Sequence, residues 1–139
     1  MTLAKPINKY IDYIDAPEDT FEQYVEKALK YNFRCVFANL QEYETGRAML
    51  EGSDIILAGA IDFPQGTMTL EEKLARFEEY AACGFTEIDY VLNQESVENR
   101  DFDAIEREMT TIADFCRAHG ITDKVIVEMC KLDGDDAAK

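Results

Sequence analysis

The stretch EIDYVLN, Glu87–Asn93, decides the fold of this 139-residue chain. It is a short apolar run of β-branched and aromatic residues, with one carboxylate, Asp89, set into it. A charge inside a buried strand is costly to desolvate unless it is paired or has a chemical function. Similar apolar runs that end in polar or turn residues recur at Phe33–Leu40, Ile55–Gly66 and Lys124–Cys130. We therefore predict four strands, and in a parallel α/β protein the chemistry lies at the carboxyl ends of the strands.

Helical patterns fill the intervals between these predicted strands. Thr20 and Thr69 each start a capping box, because a Gln or Glu follows three residues later, and a third apolar stripe at helical spacing ends at Gly120. Glu42–Leu50 is predicted as a modest helix and Asn93–Arg100 as a polar loop. The order helix, then β-α-β-α-β-α-β, predicts an α/β fold with a parallel sheet and right-handed crossovers.

Composition excludes several classes of partner. The chain has 29 acidic and 14 basic residues and a net charge of −15, which argues against binding to nucleic acid or to an anionic membrane. It contains no run of 18 apolar residues, so we expect a soluble, cytoplasmic protein. The four cysteines form no CxxC motif and there is a single histidine, so we expect no zinc or other metal site.

The final segment, Leu132–Lys139, reads as a turn followed by the first turn of an acidic helix. A helix of one turn gains little after its costly nucleation. Four parallel strands also leave two open edges and an uncovered face. We therefore expect residues 1–139 to be a piece of a larger barrel or sheet rather than a finished domain.

The residue types alone leave more than one interpretation of the charged positions. Asp89 is either a catalytic carboxylate or a buried aspartate satisfied by backbone donors or a lysine. Lys124 either begins a strand with its amine in solvent or pairs with Asp89, and a carboxylate partner would favour the charged amine over a nucleophilic one. Asp12 either lies at a functional site or caps a helix, because Asp is a common N-cap residue. Asp62 either faces a cavity at the end of its strand or is a solvated or salt-bridged residue there.

Four segments in order resemble the signature segments of the deoxyribose-phosphate aldolase family. Three of them are IDFPQG, EIDYVLN with DFDAIEREM behind it, and KVIVEMC. The fourth, KYIDYIDAPEDTFEQYVEKALKYNF, resembles the family's N-terminal helical region. The resemblance extends along essentially all 139 residues, with similar spacing between the segments.

The resemblance implies parallel β/α units of a (β/α)8, or TIM, barrel with an extra N-terminal helix. A barrel of this type needs roughly 250 residues, and this chain supplies about four of the eight strands. The resemblance therefore implies that residues 1–139 are a single N-terminal half of such a barrel. It also implies a class I aldolase of carbohydrate catabolism, in which a lysine forms a Schiff base with an aldehyde. The substrate would be a small phosphorylated sugar, 2-deoxyribose 5-phosphate, cleaved to acetaldehyde and glyceraldehyde 3-phosphate without a cofactor.

The resemblance assigns two catalytic positions. Asp89 matches the aspartate of strand three, which relays protons while the Schiff base forms and breaks down. Lys124 matches a lysine on strand four that supports the polar network around that aspartate.

Four further positions are expected to line the substrate site. Asp12 matches an aspartate before the first long helix, and Asn39 matches the asparagine of strand one. Phe37 stands in place of a cysteine and would intrude on a small-aldehyde pocket. Asp62 stands where asparagine or glycine is common and would add negative charge near that pocket.

The family's Schiff-base lysine lies on a segment that reads KTSTG, which this sequence does not contain. The 139-residue chain alone is therefore expected to be inactive. The alternative is a self-assembling half-barrel, a scaffold or interaction module without catalysis, and in either case we expect a homo-oligomer through exposed strand edges. A flavodoxin-like domain is a weaker alternative, because no glycine-rich phosphate loop follows strand one.

Overall fold

The computed structural model describes residues 3–137 and divides into two units, Met1–Gly59 and Ala60–Lys139. We call them the N-terminal unit and the C-terminal unit. The elements that begin in the N-terminal unit are a 3₁₀ turn at Ile7–Tyr10, helix α1 at Phe21–Tyr31, strand β1 at Cys35–Phe37, helix α2 at Tyr43–Met49 and strand β2 at Ile56–Ile61. Those of the C-terminal unit are helix α3 at Leu70–Cys83, strand β3 at Glu87–Val91, helix α4 at Gln94–Glu98, helix α5 at Phe102–His119, strand β4 at Thr122–Ile126, a 3₁₀ turn at Met129–Lys131 and helix α6 at Gly134–Ala137.

In the N-terminal unit, helix α1 begins with the predicted capping box. The Thr20 side chain accepts from the backbone N–H of Gln23, and the Gln23 side chain accepts from the backbone N–H of Thr20. Strands β1 and β2 pair in parallel, with Cys35 opposite Ile56. The core between these elements consists of Tyr24, Val25, Ala28, Val36, Leu50 and Ile55.

In the C-terminal unit, strands β3 and β4 pair in parallel and their two faces have different surroundings. The ring of Tyr90 meets the edge of Phe77 on α3 at 5.8 Å between centroids, and Phe77 meets Phe115 on α5 at 6.0 Å. Helices α3 and α5 therefore cover the face of β3 that carries Tyr90. Because side chains alternate along a strand, Glu87 and Asp89 lie on the opposite face.

Burial on the helix-covered side of the sheet raises the pKa of two side chains there, a phenol and a thiol. It raises the pKa of the Tyr90 phenol, and it raises the pKa of the Cys116 thiol to about 12. Asp123 of β4 is the register partner of Ile88, two residues before Tyr90, so it lies on the same face of the pair as Tyr90, and its charge adds to both shifts. Its neighbour Lys124 lies on the other face.

Several predicted boundaries are wrong for local reasons. Strand β1 ends before residue 40, because the Asn39 side chain accepts from the N–H groups of Gln41 and Glu42 and starts a turn. The predicted loop at residues 93–100 contains helix α4, which the Asn93 side chain caps. Strand β4 begins before residue 124, because the N–H of Thr122 already donates to the carbonyl of Thr86, the residue before β3.

The predicted fold class is confirmed: the four strands alternate with helices, and they run parallel wherever their pairing is described, β1 with β2 and β3 with β4. The interpretation of residues 1–139 as a single N-terminal half remains a prediction. Across residues 3–137, no helix combines the length and the apolar composition that crossing a bilayer requires.

Candidate active site

The two predicted catalytic residues lie side by side on the face of the sheet opposite the helices. The ammonium Nζ of Lys124 is 3.0 Å from Oδ1 of Asp89 and 2.9 Å from Oε1 of Glu87. The side chains of Glu87 and Asp89 are 5% and 13% exposed, and that of Lys124 is 31% exposed. One partly exposed cation therefore bridges two largely buried carboxylates.

Strand register explains this arrangement. Asp89 and Lys124 are direct partners across the parallel β3–β4 pair. Glu87 precedes Asp89 by two residues, so it lies on the same face and about 7 Å further from the carboxyl end of the strand. The long lysine side chain spans this separation and contacts both carboxylates.

The two carboxylates around Lys124 determine which chemical role its amine can have. Two carboxylates within about 3 Å favour the charged form of its amine, whereas a nucleophilic lysine must lose its proton. Lys124 is thus suited to support a carboxylate that exchanges protons. Asp89 is suited to that exchange, because it is the less buried of the two carboxylates.

Glu87 was not among the predicted site residues. Its position two residues before Asp89 was a usable signal, since alternation turns both side chains to one face. A glutamate at the start of an apolar strand is, however, commonly solvated, and only the register with β4 brings it to Lys124.

Asp62 lies at the end of β2 and organises the following turn. Its Oδ1 accepts from the N–H of Thr67 and its Oδ2 from the N–H of Met68, both at 2.9 Å. Lys73 Nζ lies 3.3 Å from the same Oδ2, and the backbone φ of Asp62 is +59°. Both oxygens of this buried carboxylate therefore have partners within the chain, and its contact with a substrate remains a prediction.

The other three predicted residues belong to the N-terminal unit. Nε of Arg34 lies 2.5 Å from Oδ1 of Asp12. Helix α1 is capped by Thr20, so the helix-capping interpretation of Asp12 is wrong. Phe37 is half-buried on β1, and Asn39 is exposed at the turn that follows. Their roles in substrate binding remain predictions.

The backbone of Phe37 is held by a tyrosine that the sequence analysis did not single out. The hydroxyl of Tyr24 donates to the carbonyl of Tyr13 at 2.5 Å and accepts from the N–H of Phe37 at 2.9 Å. Burial raises the pKa of the Tyr24 phenol, and the hydrogen bond from Phe37 partly offsets this rise. Tyr24 therefore remains a neutral donor at physiological pH.

Among residues 3–137, no group of three or more His, Cys, Asp or Glu side chains is arranged to hold a metal ion.

Curated proteins and solved structures resemble this chain along nearly all of its length. It is 33% identical over 127 residues to the deoxyribose-phosphate aldolase of Lactobacillus acidophilus, a match that covers 91% of this chain and 54% of that protein. It is 31% identical over 137 residues to the deoxyribose-phosphate aldolase of Clostridium perfringens, covering 99% of this chain and 61% of the relative. The chain is homologous to deoxyribose-phosphate aldolases. No family model matches it.

The structural comparison agrees with this homology. The tetrameric deoxyribose phosphate aldolase of Aeropyrum pernix superposes with a TM-score of 0.71 at 26% identity, over 90% of this chain and 53% of that one. An aldolase named QR15 superposes with a TM-score of 0.75 at 23% identity, which supports the fold alone.

The predicted resemblance to deoxyribose-phosphate aldolases and the predicted β/α units of their barrel are both confirmed. The chain spans little more than half the length of the curated aldolases it matches.

Proposed function

We propose that the protein containing this segment is a class I aldolase of the deoxyribose-phosphate aldolase type. The observation that carries the proposal is the Lys124 ammonium between Glu87 and Asp89 at the positions that the resemblance assigns to catalysis. Its substrate would be 2-deoxyribose 5-phosphate or a similar small phosphorylated sugar, and it would act in the cytoplasm. Because residues 1–139 contain no KTSTG segment, the Schiff base would be formed by a lysine outside them.

In this mechanism Asp89 exchanges protons with the oxygen of the carbinolamine that precedes the Schiff base. The exchange requires a carboxylate that can both accept and return a proton. Lys124 pairs with both Asp89 and Glu87, offsets part of their negative charge and keeps the Asp89 carboxylate oriented. Asp12, Phe37, Asn39 and Asp62 are proposed to shape the space for the sugar phosphate.

The proposal is tested by cleavage of 2-deoxyribose 5-phosphate, followed as release of acetaldehyde from the full protein. Asp89→Asn is expected to lower kcat by at least about a hundredfold, the usual range for loss of a proton-transfer group. Lys124→Met is expected to lower kcat as well, because it removes the cation that pairs with Asp89. The 139-residue chain alone is expected to give no turnover in the same assay, because a charge-paired Lys124 is no nucleophile.

A matched control lies next to Lys124 on the same strand. Asp123→Asn changes a carboxylate on the helix-covered side of β4 and should leave kcat within a few-fold of the parent value. The proposal fails if Asp89→Asn and Lys124→Met cleave the sugar as fast as Asp123→Asn does.

A second candidate function, a self-assembling half-barrel without catalysis, is favoured by the incomplete cover of β4. No residue of Thr122–Ile126 is fully buried, whereas four of the five residues of β3 are. An apolar groove of about 630 Å³ lies nearby, lined mainly by Leu92, Val97, Phe102, Ile105, Met109, Val127 and Leu132.

Either function is compatible with a homo-oligomer that forms through such strand edges. Multi-angle light scattering of the purified chain is expected to give at least twice its mass of 15.8 kDa. A monomer at micromolar concentration would exclude the self-assembling half-barrel and leave the aldolase proposal unaffected.

A further inference from the structure

Lys73 of helix α3 is fully buried, outside the cluster around Asp89, and its ammonium is surrounded by oxygen atoms. Its Nζ donates to the carbonyl oxygen of Val91 at 2.6 Å. It forms ion pairs with Glu108 of α5 and, at 3.3 Å, with Asp62. The side chains of Lys73, Asp62 and Glu108 are 0%, 3% and 6% exposed. Three charges of the C-terminal unit are thus buried in one cluster.

Each carboxylate of the cluster also accepts hydrogen bonds from backbone N–H groups of a turn. Asp62 accepts from the N–H groups of Thr67 and Met68 in the turn after β2. Glu108 accepts from the N–H of Asn93, at 3.2 Å, directly after β3. Lys73 therefore connects one turn to α5 and to the end of β3 through charge-assisted hydrogen bonds, which are among the strongest in proteins.

The two turns also contact each other directly. The N–H of Gln94 donates to the carbonyl of Gly66 at 2.8 Å, and the Asn93 side-chain amide donates to the carbonyl of Met68 at 3.3 Å. These contacts require both turns to keep a fixed register. The cluster of Lys73, Asp62 and Glu108 lies beneath them and binds both.

Stability alone gives little reason to retain such a cluster. Well-packed apolar residues of similar volume are often as stable as a buried ion pair, whereas removal of one partner alone is strongly destabilising. What apolar side chains cannot supply is the set of hydrogen bonds to the N–H groups of residues 67, 68 and 93. The cluster is therefore better explained by the geometry that it imposes than by the energy that it contributes.

We propose that Lys73 is a positioning residue, which with Glu108 and Asp62 locks the turns after β2 and β3 around the carboxyl end of β3. Asp89 lies on this strand, two residues before the Val91 carbonyl that Lys73 binds. The consequence for catalysis depends on the proposed aldolase function, whereas the locking of the turns does not. Lys73 does not itself contact the Asp89 cluster's cation and takes no part in the chemistry.

Amide hydrogen exchange measured by NMR on the purified chain tests the proposal. In Lys73→Met, Asp62 and Glu108 lose the cation that holds them in place, so their hydrogen bonds to the amides of Thr67, Met68 and Asn93 should open more often. These amides are expected to exchange at least about tenfold faster, the factor that a hydrogen bond to a charged group contributes. The amides of Leu92 and Thr122, which donate to backbone carbonyls between β3 and β4, should keep their rates. An equal acceleration of all five amides would reduce Lys73 to a contributor to general stability and overturn the proposal.

Two further variants keep the test decisive. Arg76→Met removes an exposed ion pair with Glu79 on the same helix and should change none of these rates. If Lys73→Met does not fold, Lys73→Met/Glu108→Met removes both members of one buried ion pair, and the remaining carboxylate, Asp62, keeps its two backbone N–H donors, so this variant should fold. This double variant should show fast exchange at Thr67 and Met68, whose acceptor Asp62 is unchanged, and exchange at the parent rate there would overturn the proposal.

These measurements distinguish a failure of the inference from a failure of the aldolase function. Exchange rates are measured without substrate, so the turns can prove to be locked in a protein that cleaves no sugar. Conversely, loss of activity in Asp89→Asn together with unchanged exchange in Lys73→Met would sustain the aldolase proposal and refute this one.

Discussion

Alanine in place of Phe77 is expected to lower the free energy of unfolding by about 3–5 kcal/mol, the usual cost of truncating a buried phenylalanine. Phe77 is fully buried, and its ring packs edge-on against Tyr90 of β3 and Phe115 of α5. Truncation leaves a cavity where α3, α5 and β3 meet. Urea denaturation followed by circular dichroism measures the change.

The control for this variant is the same substitution at an exposed ring. Phe63 is 53% exposed, so Phe63→Ala should cost less than about 1 kcal/mol. Equal losses for Phe77→Ala and Phe63→Ala would contradict the assignment of Tyr90 to the helix-covered face of the sheet.

Alanine at Gly66 is expected to cost about 2–5 kcal/mol, from backbone strain and from overpacking together. Gly66 has a φ of +66°, which an L-residue adopts at a cost. A Cβ there would lie 2.6 Å from the carbonyl oxygen of Leu92 and 2.6 Å from Cγ of Gln94. The Leu92 oxygen is a backbone atom next to β3, so it cannot yield as the end of a flexible side chain can.

Gly120 provides a matched control for Gly66. Its φ is +67°, yet a Cβ there would meet no atom within 4 Å. Gly120→Ala should therefore cost only the conformational part, about 1 kcal/mol. If thermal or urea unfolding gave the same loss for both variants, the close approach of the turns after β2 and β3 would be wrong.

The features that the sequence predicted correctly are those with local causes. Thr20 and Thr69 cap their helices as predicted, since a capping box needs only residues three positions apart. The αL residues Gly84 and Gly120 end helices α3 and α5 for a similarly local reason. The proximity of Lys124 to Asp89 has no local cause: it was expected from the resemblance, and it depends on the register of β3 with β4.

The features that were missed depend on contacts between distant segments. Lys73 lies on the same helical stripe as Phe77, and Glu108 on the same stripe as Ile112, so each is a charge at a core position of its helix. That pattern was a signal, but an acidic chain with many charged helix residues obscures it. Only the packing of α3 against α5 brings the two charges together.

Helix α4 and the role of Asp62 were missed for a further reason: the same residues suit two different local structures. Asn93 ends one predicted element and caps the next, and polar residues are common both in loops and in short helices. Asp62 lies at a strand end, where a carboxylate can face a ligand or organise a turn. The hydrogen bonds to the amides of the following turn favour the second role, and no property of the sequence distinguishes the two.

The central claim is that one ammonium, that of Lys124, pairs with both Asp89 and Glu87 on the face of the β3–β4 pair opposite helices α3 and α5. NMR titration of the Asp89 carboxyl carbon tests it most directly, in the parent chain, in Lys124→Met and in the control Lys131→Met, whose amine instead binds Gln94. Without the cation, the nearby charge of Glu87 disfavours the Asp89 carboxylate, so the pKa of Asp89 should be higher in Lys124→Met than in the parent and unchanged in Lys131→Met. The same Asp89 pKa in all three proteins would contradict the account.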